Sequence, residues 1–196
     1  SFDSLKLGGS AFAQTLNKLG NEVPTVKDAE YFRDAFNSVQ ELIEKGLVLA
    51  GHDISAGGMI TTLLEMCFAN VEGGLEVNLD TIAEEDIVKI LFAENPGVLV
   101  QVKHHHLVEK ILEDYGLGFA IVARPIQERM LIIEKDAYRK QFDIDALRDV
   151  WFKTSYLLDR KQSGETCAKE RFENYKNQPL QFDIPTSFSG SLAEMG

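Results

Sequence analysis

At 196 residues the chain is long enough for one domain with a substantial core, since domains commonly run to roughly 100–200 residues. Hydrophobic residues make up 44% and charged residues 26%, and no apolar run approaches the ~20 residues of a membrane helix, so a soluble globular protein with no membrane partner is expected. A formal charge of −11 argues against nucleic acid as a partner, because that binding needs many Lys and Arg to release counterions; a phosphorylated small molecule stays open, because helix-start N–H groups hold phosphate without local cations.

The opening Ser1-Phe2-Asp3-Ser4-Leu5-Lys6 has no initiator Met, basic n-region or apolar h-region, so we expect neither a secretion signal nor a natural start, and read the chain as cut from a longer polypeptide. After Gly8-Gly9-Ser10, Phe12, Leu16 and Leu19 fall at helical spacing up to Gly20. Asp28 opens a long helix through Tyr31, Phe32, Phe36, Val39, Leu42 and Ile43, closed by Gly46. Residues 47–50 read as a short buried strand running into Gly51-His52-Asp53-Ile54-Ser55-Ala56-Gly57-Gly58, and Ile60, Leu63, Leu64, Cys67 and Phe68 give a helix over 59–70. A strand over 75–79, a helix over 83–92 and a strand over 98–102 follow, the last after the turn Glu94-Asn95-Pro96-Gly97. A helix over 107–115, strands over 119–122 (ended by Pro125) and 130–133, and helices over 145–158 and 165–175 complete the pattern. Five strands among helices predict a layered domain of strands and helices. We expect that domain to span 1–177, and 178–196, with Ser, Gly and Pro punctuation and no sustained period, to be a linker or docking arm.

The segment from His52 to Gly58 carries the most chemistry, because a strand delivers it and a helix leaves it. Two glycines at a helix start let a ligand approach the backbone, where orphan N–H groups and the positive end of the macrodipole favour phosphate. Asp53 could then hold a Mg²⁺ bridging phosphate oxygens, since such sites commonly use one or two carboxylates. The competing reading is that Asp53 or Ser55 caps the helix and the glycines serve a tight turn. Gly8-Gly9-Ser10 is a second, weaker glycine-rich helix start, and Glu94 sits where a carboxylate could face a cleft. His104-His105-His106 is read as a solvated helix start, because consecutive residues point in different directions whereas helical His ligands sit at i,i+4. Cys67 is read as core, and Cys67 and Cys167 as free thiols in a reducing cytoplasm.

Taken together, Leu7-Gly8-Gly9-Ser10-Ala11-Phe12-Ala13-Gln14, Gly51 to Met59, Leu63 to Ala69, Leu91 to Gly97 and Trp151 to Tyr156 resemble the second synthetase half of the formylglycinamide ribonucleotide amidotransferases, over nearly the whole chain to about Asn177. The resemblance implies an α+β fold, a layered α/β sandwich with a mixed β-sheet similar to the carboxyl-terminal domain of aminoimidazole ribonucleotide synthetase. It implies ATP and Mg²⁺ as cofactors, ATP-dependent activation of the amide oxygen of formylglycinamide ribonucleotide, and displacement of phosphate by ammonia from a separate glutaminase domain. Gly8, Gly9, Ser10, His52, Ser55, Gly57 and Gly58 would bind nucleotide phosphate, and Asp53 and Glu94 the metal. The family pairs a catalytic with an auxiliary nucleotide site, so a structural nucleotide-holding module is the alternative, as is a related synthetase or kinase of the superfamily. The expected partners are the other synthetase domains and the glutaminase; the chain alone should be inactive and weakly self-associating.

Overall fold

The structure, a computed structural model, describes residues 4–177; the expected arm over 178–196 lies outside the described residues. The chain divides into two compact units, Ser1–Val150 and Trp151–Gly196.

In the first unit the elements run α1 (Ala11–Thr15), α2 (Ala29–Glu44), β1 (Val48–Asp53), α3 (Gly58–Phe68), β2 (Gly74–Asn78), α4 (Ile87–Phe92), β3 (Val98–Val102), α5 (His105–Asp114), β4 (Ala123–Ile126), β5 (Met130–Lys135) and β6 (Tyr138–Asp143), with α6 (Ile144–Ser163) starting after them. Two sheets form: an antiparallel β1–β3 pair and a four-stranded sheet in the order β4-β2-β5-β6. The larger sheet is mixed, β2 running parallel to β5 and antiparallel to β4, with β6 antiparallel to β5. This is the expected layered α+β arrangement.

Burial explains the layering. Val77, Leu79, Leu131 and Ile133 are fully buried, and Met59, Leu63 and Cys67 of α3 and Ile90 and Leu91 of α4 join the same cluster with Ile144. Alternation along β5 buries Leu131, Ile133 and Lys135, the last with its ammonium donating to the carbonyls of Leu79 (3.4 Å) and Ile82 (3.2 Å). Some residues on the less buried positions of the paired strands carry charge: Arg124 pairs with Glu76, and Arg139 with Glu134.

The helix starts follow local chemistry. The Asp28 carboxylate accepts from Glu30 N (3.0 Å) and Tyr31 N (2.9 Å), and Gly46 (φ 63°) closes the same helix. Asp86 caps α4 through Val88 N at 2.9 Å, which is why that helix begins at Ile87 and not at residue 83. The structure differs from the sequence reading at three strands. β1 continues through Asp53 because β3 pairs with it to that point. The expected strand over 119–122 lies instead at Ala123–Ile126 and includes Pro125, which an edge strand tolerates. β6 went unpredicted: Tyr138-Arg139-Lys140-Gln141-Phe142-Asp143 is almost wholly exposed, so it has no apolar alternation to read.

In the second unit, Tyr156 and Phe152 of α6 stack on Phe172 of α7 (Glu165–Glu173) with ring centroids 4.7 and 6.1 Å away. Arg171 clasps Asp159 at 2.6 and 3.0 Å. A short 3₁₀ turn, Tyr175–Asn177, follows.

Two predictions follow from this packing. Gly58 has φ 73°, and a Cβ there would lie 2.6 Å from the Leu91 carbonyl oxygen and 2.7 Å from Phe92 backbone atoms. Gly58→Ala should therefore cost at least about 1 kcal/mol in urea unfolding, and an unchanged midpoint would contradict this contact between α3 and α4. Burial pushes the Cys67 thiol up, with the Arg129 charge opposing it, whereas Cys167 is exposed. A thiol reagent near pH 8 should thus modify Cys167 rapidly and Cys67 only in denaturant; equal rates in the native state would refute the burial of Cys67.

Candidate functional site

Pairing of β1 with β3 sets Asp53 opposite Val98 and lets Ile54 N donate to Gly97 O at 2.9 Å. The end of β1 and the 94–97 turn therefore lie side by side, and the Glu94 side chain spans the gap. Its Oε1 accepts from Gly57 N at 2.8 Å and from Ala11 N at 2.8 Å. Three segments that were separate in the sequence reading, Gly8–Ser10, His52–Gly58 and Glu94, are thus brought together on one carboxylate oxygen. Adjacent contacts hold the same junction: Lys6 N donates to Asn95 Oδ1 (3.3 Å), and the Phe12 ring stacks on Phe92 at 4.6 Å.

The two glycine turns differ in what they leave for a ligand. At the first, Gly8 N donates to Glu22 O (2.8 Å), Gly9 N to Leu19 O (2.7 Å), Ser10 N to Leu7 O (3.2 Å) and Ala11 N to Glu94. Ser10 is buried, donates its hydroxyl to Leu7 O at 2.6 Å and accepts from Ala13 N as the cap of α1. A Cβ on Gly8 would sit 2.2 Å from Glu22 O, so this glycine is required by close chain approach. All four N–H groups of Gly8 to Ala11 are spent internally.

At the second turn, Gly57 (φ 91°) is the N-cap of α3 and no side chain caps that helix. Neither Asp53 nor Ser55 takes the capping role, and Ser55 contributes its carbonyl to Gly58 N at 3.0 Å. The first turn of α3 thereby lacks a capping side chain, and Asp53, which ends the strand leading into it, has a carboxylate that is 78% exposed. His52 stands behind: its Nδ1 is 2.7 Å from Asp53 O and its Nε2 3.1 Å from Glu65 Oε2. Both neighbours are acceptors, and a neutral imidazole donates to only one of them. Thr62 Oγ1 also donates to Asp53 O at 3.2 Å, which fixes the strand end against α3.

His104, His105 and His106 are exposed at the start of α5, with His106 Nδ1 3.3 Å from Glu109 Oε2. Among the described residues no group of three or more His, Cys, Asp or Glu side chains is placed to hold a metal ion, and no helix is long and apolar enough to cross a membrane. An open groove between α2 and α5, lined by Glu41, Lys45, Leu107 and Tyr115, shares no residue with the glycine turns. There the Lys45 and Tyr115 hydrogen bonds hold the Glu41 carboxyl below its ordinary range. Sequence reasoning missed Asn95, which is buried beside Glu94; no periodic signal marks a turn residue of this kind.

Comparison with known proteins agrees with this architecture. The AIR synthase related protein, C-terminal domain family matches residues 2–136. The probable phosphoribosylformylglycinamidine synthase, chloroplastic/mitochondrial, of Arabidopsis thaliana is 33% identical over 191 residues, 93% of this chain. The human phosphoribosylformylglycinamidine synthase is 34% identical over 172 residues, 84% of this chain. The chain spans 13% of the length of each of these relatives. Among solved structures, T. maritima PurL complexed with ATP superposes with a TM-score of 0.56 at 21% identity, covering 63% of this chain and 22% of that one. The same protein complexed with FGAR gives 0.54 at 23% identity, covering 62% and 21%. With a family match across more than half its length, the chain belongs to the AIR synthase related proteins, as their C-terminal domain.

Proposed function

We propose that this chain is the carboxyl-terminal synthetase-type domain of a phosphoribosylformylglycinamidine synthase, and that it holds the phosphates of ATP or ADP where β1 meets α3. The observation that carries the reading is the uncapped start of α3 beside the exposed Asp53 carboxylate. N–H groups there favour an anion, the helix dipole adds to them, and Asp53 and Ser55 supply oxygen donors for a hard cation. These donors fit Mg²⁺, which when bound would neutralise phosphate charge and polarise the transferred phosphoryl group. Gly57 and Gly58 keep side chains away from the helix start, and His52 steadies the Asp53 main chain. Gly8, Gly9 and Ser10 belong to the same site as its supporting wall, since their N–H groups are already donated.

In this reading the wider enzyme uses ATP to activate the amide oxygen of formylglycinamide ribonucleotide, and ammonia from a glutaminase domain displaces the phosphate. The chain supplies one part of that machinery in the cytoplasm, and sister synthetase domains complete the site. Relatives of the whole length support this division, because the matched part is 13% of each. Exposed Phe32, Phe36 and Ile43 on α2 are surface that such neighbours would cover, and weak self-association of the isolated chain would follow from the same residues. A second reading, a nucleotide held permanently as structure, is favoured by the internal use of every N–H group from Gly8 to Ala11, which leaves a small site.

Two measurements test this. Asp53→Asn in the full-length enzyme should leave the circular dichroism unchanged, because the carboxylate is exposed, yet weaken retained nucleotide at least about tenfold, as loss of even outer-shell metal partners costs about 10–100-fold; unaltered nucleotide content would remove Asp53 from the site. With ATP, formylglycinamide ribonucleotide and saturating ammonia, the isolated chain should give no turnover while the full synthetase region does. Turnover by the chain alone near that of the whole would mean that it carries a complete active site. If turnover survives removal of nucleotide bound at this domain, the structural reading holds in place of the catalytic one.

A further inference from the structure

One oxygen of the Glu94 carboxylate is committed within the fold: Oε1 is engaged at 2.8 Å by two backbone N–H groups, from Ala11 and from Gly57. These donors belong to the two glycine turns, at the start of α1 and at the cap of α3. Glu94 is itself held from behind: Ala93 and Asn95 on either side are buried, and Asn95 Oδ1 accepts Lys6 N. Ile54 N to Gly97 O fixes the other end of the turn. The side chain is thus a rigid post to which both turns are tied.

We infer that Glu94 is a positioning residue that clamps the two glycine turns together through one oxygen and so sets where the open first turn of α3 points. It acts through Gly57 and Ala11 and touches no ligand. The inference deepens the nucleotide reading above, and only its activity arm rests on that reading.

The chemistry of the clamp gives a discriminating substitution. Glu94→Gln keeps a carbonyl oxygen with two lone pairs on the same-length side chain, so both N–H groups can still be accepted, but it removes the charge that a metal ligand needs. Glu94→Ala removes the acceptor and Glu94→Asp shortens the reach.

The test is backbone hydrogen exchange on the full-length polypeptide, read on peptides covering residues 8–14 and 54–60, alongside retained nucleotide and ammonia-dependent turnover. For Glu94→Ala we expect exchange at both turns to rise together by about tenfold or more, since charged acceptors of this kind are worth well over one ordinary hydrogen bond. Glu94→Gln should stay within about threefold of the parent in exchange, because neutral acceptance is weaker but present, and should keep nucleotide and turnover. Should Glu94→Ala fail to fold, Glu94→Asp supplies the same comparison. The inference is overturned if Gln loses nucleotide as completely as Ala while both turns remain protected, for then the charge and not the clamp is what matters. It is also overturned if Ala or Asp leaves both turns protected, or loosens one alone. Absence of nucleotide in the parent polypeptide would sink the nucleotide reading while the exchange data still decide the clamp.

Discussion

One face of the mixed sheet has to be removed from water, and the rest of the arrangement depends on how that is done. Val77, Leu79, Leu131 and Ile133 form the stripe, and α3 and α4 are what cover it. At roughly 25 cal/mol per Å² of apolar surface, this burial is the dominant favourable contribution. Once α3 must lie on that stripe, the position of its first residue is set by α4, because Gly58 meets the Leu91 and Phe92 backbone directly. The last turn of α4 then hands the chain to Ala93, Glu94 and Asn95 beside the same helix start. Core packing and site geometry are therefore one problem, and the glycine-rich turn is as much a packing device as a ligand device.

The electrostatic consequences run the other way. The chain is acidic overall, and Asp53 precedes α3, Glu94 accepts from its N-cap and Glu65 further along it faces His52, which would repel a bare polyphosphate at long range. Against this stand short-range features: the helix dipole, an uncapped first turn, and an imidazole between two acceptors. Long-range repulsion between exposed charges is screened over about 10 Å at moderate salt, whereas hydrogen bonds at the helix start are not. In the proposed nucleotide reading, a cation accompanying the anion would offset the charge of Asp53, which is a physical reason for proposing a metal-nucleotide and not a free nucleotide there.

Much of this was legible from the sequence, for identifiable reasons. Helical period and end signals located α2 nearly to the residue, since Asp28 and Gly46 are both terminators with local mechanisms. The strand–loop–helix order around Asp53 was readable from the short apolar run at 47–50 and the helical period of α3, but the expected burial of that strand was not met: most of β1 is exposed. Edge strands were not: β6 is charged along its length, and β4 holds a proline that sequence reasoning takes as a stop. The distinction between the two glycine turns was equally invisible. Gly8-Gly9-Ser10 and Gly57-Gly58 look alike as text, and only the folded hydrogen bonds reveal that the first starts a helix capped by Ser10, whereas at the second Gly57 N and Gly58 N are taken by Glu94 and Ser55 and no side chain caps the helix beyond them.

The same logic explains why a glutamate stands at position 94 instead of a neutral hydrogen-bonding residue of the kind at position 95. Two N–H groups converging on one point place two partial positive charges near each other, and both come from helix starts, where the macrodipole adds to them. A full negative charge offsets that convergence better than an amide oxygen can, and charge-assisted bonds are roughly twice as strong as neutral ones. The side chain is half-buried, so part of this gain survives screening by water. In an acidic protein one more carboxylate is unfavourable at the surface, but here it is neutralised locally by the ends of two helices. A negative charge placed between two helix starts therefore draws α1 and α3 together.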